Sequence, residues 1–353
     1  MNASPVHPLT GIRTADLSDP IERARLDVFV AAQDSSTPFH RTAWSIAIER
    51  ACGAKAHYLV AEGASGIAGV LPLHEVRSPL FGNALVSAGF AVGGGVLGQE
   101  AGLIEAMVAH GRQCGCGTVE LRGGPMPDTG WKIDEETYLG FVRPLAGDDE
   151  AQLQAIPRKQ RAEVRRALGF DLDVRVGGRA EDLAAHYRVY AESVRNLGTP
   201  VFPRTLFSEV LAAFGDDADI LTVSKEGRPL ASVLSLYHKG VVYPYWGGGV
   251  ADARTWRAND MMYYALMLHA RRDKGCTHFD FGRSKAGTGP AAFKKNWGFE
   301  GMPLRYAKRS TDGQPVRDVN PLSPKYRLQV SLWQKLPLPI ANLLGPWISR
   351  GLG

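Results

Sequence analysis

The chain has 353 residues, of which 44% are apolar and 22% are charged, and its formal net charge is +5. This composition excludes a disordered chain and suits two globular domains of ordinary size. The small excess of Lys and Arg is consistent with phosphate-bearing partners, although an ordinary basic surface explains it equally well.

The cysteines and the hydropathy pattern limit the class of protein further. Cys52, Cys114, Cys116 and Cys276 form no C-x-x-C pair, and no histidines stand at zinc-ligand spacing. We therefore predict no metal site and a reducing compartment. The N-terminus lacks the apolar segment of a signal peptide, and no apolar run reaches the about 20 residues that span a bilayer. These features predict a cytoplasmic protein.

A weak internal repeat organises the predicted elements. In each half, two alternating strands form a hairpin, and a helix that ends near a glycine leads into a further strand. The segments are His57–Glu62, Ile67–Val76, Gln99–Cys114 and Cys116–Leu121 in the first half, and Ile220–Ser224, Leu230–Tyr237, Ala258–Lys274 and Cys276–Phe281 in the second. Alignment of the glycines at the helix ends places Glu120 opposite Asp280. The repeat predicts two α/β lobes of the α+β type, with mixed, largely antiparallel sheets flanked by helices.

The domain organisation follows from the repeat. We predict an N-terminal lobe over residues 1–147, a C-terminal lobe over 148–310 and a Pro-rich extension over 311–353. Helical patterns in the second lobe cover 149–156, 157–169, 180–197 and 203–214. The apolar segment Leu332–Ile348 either packs on the C-terminal lobe, which we favour, or rests on a membrane surface.

A basic helix opens the second lobe. Arg158, Arg161 and Arg165 share one helix face, and guanidinium groups bind phosphate in a bidentate manner. This face predicts contact with a phosphate group or a nucleic acid, and a solvated surface is the alternative. Aromatic residues do not interleave with the arginines, which argues against sequence-specific binding of single strands.

Two further segments could face a ligand. Arg195 and Asn196 end a helix before a Pro-bounded loop, where a simple helix cap explains them equally well. Tyr245 and Trp246 run into three glycines, whose backbone N–H groups could hold an oxyanion. At least one of these aromatic rings is expected in the core.

The strongest segment lies near the end of the second half. A strand ends in Asp280, Arg283 and Lys285, a Gly-rich loop follows, and a short helix then carries Lys294 and Lys295. Charged side chains at the end of a buried strand are costly unless they serve a function. A structural ion pair between Asp280 and Arg283 is the alternative.

Five segments together resemble a known family: IPRKQRAEVRR, YAESVRNLGTPVFP, YWGGG, FDFGRSKAGTGPAAFKKNWGF and DVNPLSPKYRL. They resemble the FemAB-like branch of the GNAT acyltransferase superfamily, and more narrowly the FemAB-related proteins of PEP-CTERM/exosortase systems. The resemblance covers most of the chain and implies two tandem GNAT-like lobes. It also implies attack by an amine on an activated ester or thioester in cell-envelope or exopolysaccharide biosynthesis, without a covalent enzyme intermediate.

The resemblance implies no permanently bound cofactor and an acyl donor that is either aminoacyl-tRNA or acyl-CoA. The acceptor is expected to be a small-molecule or lipid-linked amine, with peripheral contact to the inner face of the cytoplasmic membrane left open and no DNA partner. The GNAT pyrophosphate pattern Q/R-x-x-G-x-G/A is missing, and the nearest segment, Arg166–Asp171, fails at its last position. The long coiled-coil insertion of Fem proteins is also missing. Neither donor is therefore secured.

The hypothesis for the site assigns three catalytic residues. Asp280 orients the acceptor amine or takes its proton, and Lys294, which matches the lysine of the family's FK motif, stabilises the oxyanion or the leaving group. Arg283 is the third predicted catalytic residue, and its role is to hold a phosphate or carboxylate group of the substrate. The predicted substrate-binding residues are Arg161, Arg165, Arg195, Asn196, Tyr245, Trp246, Lys285 and Lys295. The alternative is a non-catalytic GNAT-like module that binds a saccharide, a lipid-linked precursor or RNA.

Overall fold

The computed structural model describes residues 9–100, 102–317 and 324–353, with side chains described outside 9–10, 101 and 318–327. The strands are β1 (Leu9–Thr14), β2 (Ala56–Gly63), β3 (Gly66–Val76), β4 (Ala84–Ser87), β5 (Leu97–Gly98), β6 (Thr118–Arg122), β7 (Lys132–Asp134), β8 (Tyr138–Pro144), β9 (Asp173–Gly177), β10 (Ala218–Lys225), β11 (Arg228–His238), β12 (Val241–Gly249), β13 (His278–Lys285), β14 (Met302–Pro303) and β15 (Tyr306–Ser310). The helices are α1 (Pro20–Ala32), α2 (Thr42–Cys52), α3 (Leu103–Gln113), α4 (Asp149–Ala155), α5 (Arg158–Leu168), α6 (Ala180–Asn196), α7 (Arg204–Phe214), α8 (Ala258–Arg272), α9 (Gly289–Asn296), α10 (Pro324–Gln334) and α11 (Leu338–Ser349).

The strands form two sheets with the same plan. The first sheet has the order β1-β2-β3-β4-β6-β15-β7, with β5 paired to β3, and the second has the order β14-β8-β13-β12-β11-β10-β9. Neighbouring strands are antiparallel apart from β4 with β6 in the first sheet and β12 with β13 in the second. The predicted fold class is therefore confirmed: both sheets are mixed, largely antiparallel and flanked by helices.

The internal repeat is also confirmed, because corresponding elements occupy corresponding places in the two sheets. The hairpin β2–β3 and helix α3 precede β6, as the hairpin β10–β11 and helix α8 precede β13. The four helical patterns predicted for the second half match α4, α5, α6 and α7 to within two residues at each end. Such boundary differences are usual, because helix ends fray.

Two compact units contain these sheets. The first comprises the described residues of Met1–Glu135, Arg305–Val319 and Ser349–Gly353, and the second those of Glu136–Leu304 and Asn320–Ile348. Strand β8 pairs with β13 in the second sheet, and β15, which follows β14 in the chain, pairs with β6 in the first. The lobe boundaries at 147 and 310 remain predictions.

The centre of the second sheet is covered on both faces. On β11, Val233 belongs to the same core cluster as Met262 of α8. The neighbouring Ser232 Oγ lies 3.0 Å from Nδ1 of His186 on α6. Because successive side chains of a strand point to opposite faces, α8 covers one face and α6 the other. This burial explains the almost continuous apolar sequence of β11.

The Pro-rich C-terminal extension contains two helices, α10 and α11, for which we made no prediction from the sequence. Val330 of α10 packs close to Gly198, and Gly345 of α11 packs against Val201. Leu343 and Trp347 are exposed by 78% and 60%, so one side of α11 is not packed on the described chain. Residues 318–323 of the segment DVNPLSPKYRL lie outside the described residues. Across the described ranges, no helix has the length and apolar character that a membrane crossing requires.

Candidate active site

Strands β12 and β13 begin side by side and then diverge. They pair in parallel only at Val241 with His278 and Val242 with Phe279. Beyond this point β12 pairs with β11 as far as Gly249, and β13 pairs with β8 as far as Lys285. Two neighbouring strands that each follow a different partner leave a wedge between them. The wedge opens at Asp280, the first residue of β13 after the last paired position.

A β-bulge shapes β13 at this point. Asp280 pairs with Val142 of β8 and Arg283 with Gly140, so two residues of β13 oppose the single residue Phe141. Gly282 lies in this bulge with φ of 66°, a left-handed conformation that glycine adopts without steric cost. Its N–H donates a 2.8 Å hydrogen bond to Oδ1 of Asp280. The bulge therefore holds the carboxylate in place.

Helix α9 is anchored beside the bulge by aromatic side chains. Phe293 lies 6.2 Å from Phe281 and 5.7 Å from Tyr263 between ring centroids. Trp297, which follows the helix, is fully buried and lies 6.1 Å from Tyr263. The hydroxyl of Thr288 donates to the carbonyl of Lys285 at 2.7 Å and ties the start of the helix to the end of β13. These contacts fix the position of Lys294 on α9.

Lys294 points back onto β13. Its Nζ donates a 3.0 Å hydrogen bond to the backbone carbonyl of Arg283. The ammonium group also lies 5.2 Å from the ring centroid of Phe141 and 5.6 Å from that of Phe281, where cation–π attraction partly replaces its hydration. Lys294 is thus held at the bulge that carries Asp280.

Asp280 and Lys294 have shifted pKa values. Burial raises the pKa of Asp280 from 3.8 to about 6, although the Gly282 N–H and the charge of Lys294 act in the opposite direction. Burial also lowers the pKa of Lys294 from 10.5 to about 8, while Asp280 raises it and Arg283 lowers it further. The carboxylate is therefore a stronger base than usual and the ammonium a stronger acid. Such a pair can accept one proton and supply another near neutral pH.

The ion pair between Asp280 and Arg283 that was the structural alternative is absent from the described chain. Arg283 instead stacks its guanidinium 4.7 Å from the ring centroid of Tyr138 on β8. Lys285 approaches the same ring at 5.6 Å. Lys295 is exposed on α9. Of the predicted residues in this segment, Asp280, Lys294 and Arg283 come together, whereas Lys295 lies on the outer side of the helix.

The basic helix α5 is connected to α9 through a side chain that the sequence did not single out. Arg143 of β8 donates to the carbonyl of Ala155, just before α5, at 2.7 Å and to the carbonyl of Trp297 at 3.2 Å. On α5, Arg161 donates to the backbone and side chain of Gln154. Arg165 is exposed and forms no ion pair with any described residue.

Arg195 and Asn196 lie away from the bulge, at the end of α6 beside α10. Nη1 of Arg195 donates to the carbonyl of Gln334 at 3.2 Å, and the side-chain amide of Gln334 donates to the carbonyl of Asn196 at 3.2 Å. These bonds attach the C-terminal extension to the second unit. A structural role accounts for both residues.

The aromatic pair on β12 divides between core and strand edge. Trp246 is 4% exposed and packs edge-on against Phe207 of α7 at 5.4 Å, so it is a core residue. Tyr245 is the extra residue in a bulge of β12, because Leu234 pairs with Trp246 while Ser235 pairs with Pro244. Its ring is half-buried and lies 4.7 Å from that of Trp246.

Close packing accounts for the glycines of β12. An added Cβ would lie 2.9 Å from Val233 at Gly247, would collide with the Ser193 side chain at Gly248, and would lie 2.6 Å from Asn259 Oδ1 at Gly249. The absence of side chains thus lets α6 and α8 approach the strand. The oxyanion role considered for these glycines remains a hypothesis.

The corresponding position in the first sheet is chemically different. Glu120 of β6 is 8% exposed and forms ion pairs with Arg122 at 2.8 Å and with Lys308 at 3.4 Å. The parallel partner β4 ends at Ser87, one residue beyond its last pair with β6. A carboxylate neutralised by two cations beside a short strand offers no counterpart to the wedge at Asp280.

Comparison with known proteins gives the same fold. A protein-family model described as an acetyltransferase (GNAT) domain matches residues 155–295, which include α5, β12, β13 and all but the last residue of α9. No curated protein matches the sequence. The solved structure of FemX is similar with a TM-score of 0.64 and 15% identity, over 81% of this chain and 95% of that one.

Two further solved structures are similar over most of their length. The C-terminal domain of a putative lysylphosphatidylglycerol synthetase from Agrobacterium fabrum has a TM-score of 0.54 and 17% identity, over 82% of this chain and 91% of that one. A tandem GNAT protein from the clavulanic acid biosynthesis pathway has a TM-score of 0.52 and 13% identity, over 86% of this chain and all (100%) of that one. The fold is thus similar to that of tandem GNAT proteins, and residues 155–295 match the model of a GNAT domain.

Proposed function

We propose that this protein is an N-acyltransferase or aminoacyltransferase that moves an acyl group from an activated ester or thioester to an amine. The observation that carries the proposal is the pair Asp280 and Lys294, held on either side of a bulge at the point where β12 and β13 diverge. A module that only binds its ligand has no need of a desolvated acid and base at one position.

The proposed reaction needs no covalent enzyme intermediate. The amine attacks the acyl carbonyl carbon, a C–N bond forms, and the carbonyl oxygen becomes an oxyanion. Asp280 takes the proton that the amine loses, either directly or through one water. Lys294, as the ammonium, stabilises the oxyanion or donates a proton to the leaving oxygen or sulfur as the ester or thioester bond breaks. Arg283 adds positive charge for the leaving group.

The basic groups support a donor that carries phosphate. Arg165 of α5 is exposed, Arg161 is half-buried, and α5 is tied to the end of α9 through Arg143. Lys285 provides a further cation at the end of β13. We assign these side chains to the phosphate groups of the donor. Arg195, Asn196 and Trp246 are left out of the proposed site, because packing explains each of them.

The nearest match to the GNAT pyrophosphate pattern does not serve as a phosphate site. Arg166–Asp171 covers the C-terminal end of α5, where backbone carbonyls and the negative end of the helix dipole repel phosphate. This weakens the case for ordinary acyl-CoA and leaves aminoacyl-tRNA as the alternative donor to test. The similarity to a lysylphosphatidylglycerol synthetase domain supports an aminoacyl donor and a lipid-linked acceptor. A role in cell-envelope or PEP-CTERM-associated biosynthesis rests on the sequence resemblance.

Transfer assays with both donor classes test the proposal. The purified full-length chain would be incubated with a panel of aminoacyl-tRNAs or acyl-CoAs and with amine acceptors, lipid-linked ones included, and products identified by mass spectrometry. We expect a new amide that the wild-type chain forms and Lys294→Met does not. Mass spectrometry of ligands that co-purify with the protein selects the first donors to test. Product formation that is equally fast with wild type and Lys294→Met would contradict the proposal.

A further inference from the structure

Four side chains with metal-binding chemistry meet in the first unit, although they are far apart in the sequence. His57 lies on β2, Glu75 on the adjacent β3, and His110 and Cys114 lie one turn apart at the end of α3. Helix α3 packs against the first sheet, with Ile104 and Met107 in the same core cluster as Leu59 and Leu73 of the hairpin. This packing brings the end of the helix over the polar end of the hairpin.

The donor atoms of this cluster are close together. One ligand atom each from His57, His110 and Cys114 lies within 4.8 Å of the others. Sγ of Cys114 is 4.0 Å from Nε2 of His57, which is itself 2.7 Å from Oε1 of Glu75. The two imidazole rings meet edge to face with centroids 4.4 Å apart. Ligands around a tetrahedral zinc ion are separated by roughly 3.5 Å, given bonds of about 2.0 Å to nitrogen and 2.3 Å to sulfur.

One atom in the cluster lacks a hydrogen-bond partner. Nε2 of His110 is buried and makes no hydrogen bond to any described residue. A buried polar atom without a partner is costly, and ligation of an ion would satisfy it.

We propose that His57, His110, Cys114 and Glu75 form a binding site for a zinc-like transition-metal ion in the first unit. Imidazole nitrogen and thiolate sulfur are donors that zinc prefers, and His57, His110 and Cys114 supply three of them. Glu75, which is hydrogen-bonded to His57, supplies the fourth donor when the ion replaces that hydrogen bond. The site is structural, because it joins α3 to β2 and β3. It is independent of the acyl transfer proposed for the second unit.

The surroundings provide an orienting partner and a route of entry. Arg77 donates to Oε2 of Glu75 at 3.0 Å through Nε and to the carbonyl of Cys114 at 2.7 Å through Nη2. Such contacts fix the orientation of ligands. His57 and Glu75 are 7% and 6% exposed, whereas His110 and Cys114 are half-buried. The ion therefore enters past the end of α3 and meets the buried pair at the bottom of the site.

Cobalt substitution tests the site directly. The full-length protein, stripped with a chelator, would be titrated with Co²⁺ and then with Zn²⁺, and its absorption spectrum recorded. We expect one equivalent of Co²⁺ with a thiolate-to-cobalt charge-transfer band, lost when Zn²⁺ displaces it. Cys114→Ala and His110→Ala should lose the band or bind Co²⁺ more than about 100-fold more weakly. A loss of this size exceeds the effect of removing a residue that only hydrogen-bonds to a metal ligand. Cys52→Ala, which removes a buried thiol elsewhere in the same unit, should bind as wild type.

Other results would overturn the proposal. The proposal fails if the wild-type chain retains neither Co²⁺ nor Zn²⁺, or if it binds Co²⁺ without a thiolate band. An unchanged band in Cys114→Ala would also contradict the site. Thermal unfolding with and without Zn²⁺ provides a second measurement, because a ligand of the folded state raises its melting temperature. The increase should be seen in wild type and Cys52→Ala and be absent in His110→Ala and Cys114→Ala. An equal increase in all four proteins would also overturn the site.

Discussion

Lys294 donates a 3.0 Å hydrogen bond to the backbone carbonyl of Arg283, and this bond joins α9 to the bulge of β13. The ammonium is thereby held near the carboxylate of Asp280, which is fixed from the other side by the N–H of Gly282. The two side chains influence each other's pKa while forming no ion pair within 4 Å. This arrangement leaves both groups available to a substrate, and the following predictions test its consequences.

Removal of either group should slow transfer without unfolding the protein. We expect Lys294→Met to lower kcat/KM by about 10²–10³, since an oxyanion donor is lost. Asp280→Asn should lower it by about 10²–10⁴, since proton transfer is lost. Initial rates of product formation measure both effects. Lys132→Met, at an exposed position on β7 in the first unit, is the matched control and should retain full activity.

Activity should depend on pH with a maximum near 7. The base form of Asp280 is present above its pKa of about 6, and the ammonium of Lys294 is present below its pKa of about 8. The rate should therefore fall about tenfold per pH unit on both sides, with apparent pKa values that belong to the pair. Lys294→Arg, which stays charged, should lose the alkaline limb if it retains activity. If the fall in rate at high pH is unchanged in Lys294→Arg, a group other than Lys294 causes it.

Asp280→Asn should be at least as stable as the wild type at neutral pH. Burial raises the folded-state pKa of Asp280 to about 6, so the ionised carboxylate destabilises the native state above that pH. Because one pKa unit corresponds to about 1.4 kcal/mol, the gain in unfolding free energy is on the order of 1–3 kcal/mol at pH 7.5. The gain should shrink as the pH falls from 6 towards the unfolded-state value and vanish near pH 4. Urea unfolding of both proteins at pH 7.5 and pH 4 measures it, and a loss of stability at pH 7.5 would contradict the burial argument.

Arg165 should contribute to donor binding rather than to chemistry. We expect Arg165→Gln to raise the KM for a phosphate-bearing donor several-fold with little change in kcat. If the donor is a tRNA, the slope of log K against log salt should fall by about 1, because one phosphate contact is lost. Arg166→Gln is the control, since Arg166 lies 3.4 Å from Glu163 and its charge is partly compensated. Equal effects of the two substitutions would show only a general effect of net charge.

Gly282 should be required for activity beyond its contribution to stability. Gly282→Ala places a Cβ on a residue with φ of 66° and should cost about 1–2 kcal/mol while it displaces the N–H that holds Asp280. Gly287→Ala carries a similar backbone penalty at φ of 72°, in open space. Thermal unfolding should therefore show similar losses, whereas kcat/KM should fall at least about tenfold more in Gly282→Ala. If both variants lose activity equally, the bulge has no special role.

Much of the fold could be predicted because its signals are local. The alternation of β10 and β11, the helical spacing of α8 and the glycines after α3 and α8 each involve residues within a few positions. Their repetition revealed the common plan of the two sheets, and the concentration of charge after Phe279 located the candidate site. No helix was predicted in the Pro-rich extension, although Pro324 and Pro337 stand at or just before helix starts, where proline is tolerated.

The sequence by itself determined where the strands, helices and charged segments lie, because neighbouring residues set backbone periodicity. Only the tertiary structure decided that Asp280 is paired with a backbone N–H rather than with Arg283, that β12 and β13 diverge, and that Gly247–Gly249 serve packing. It also brought His57 to Cys114 across 57 positions of the chain. These features depend on which distant atoms exclude water from a charge or fill the space beside it, and that environment is created by packing rather than by local sequence.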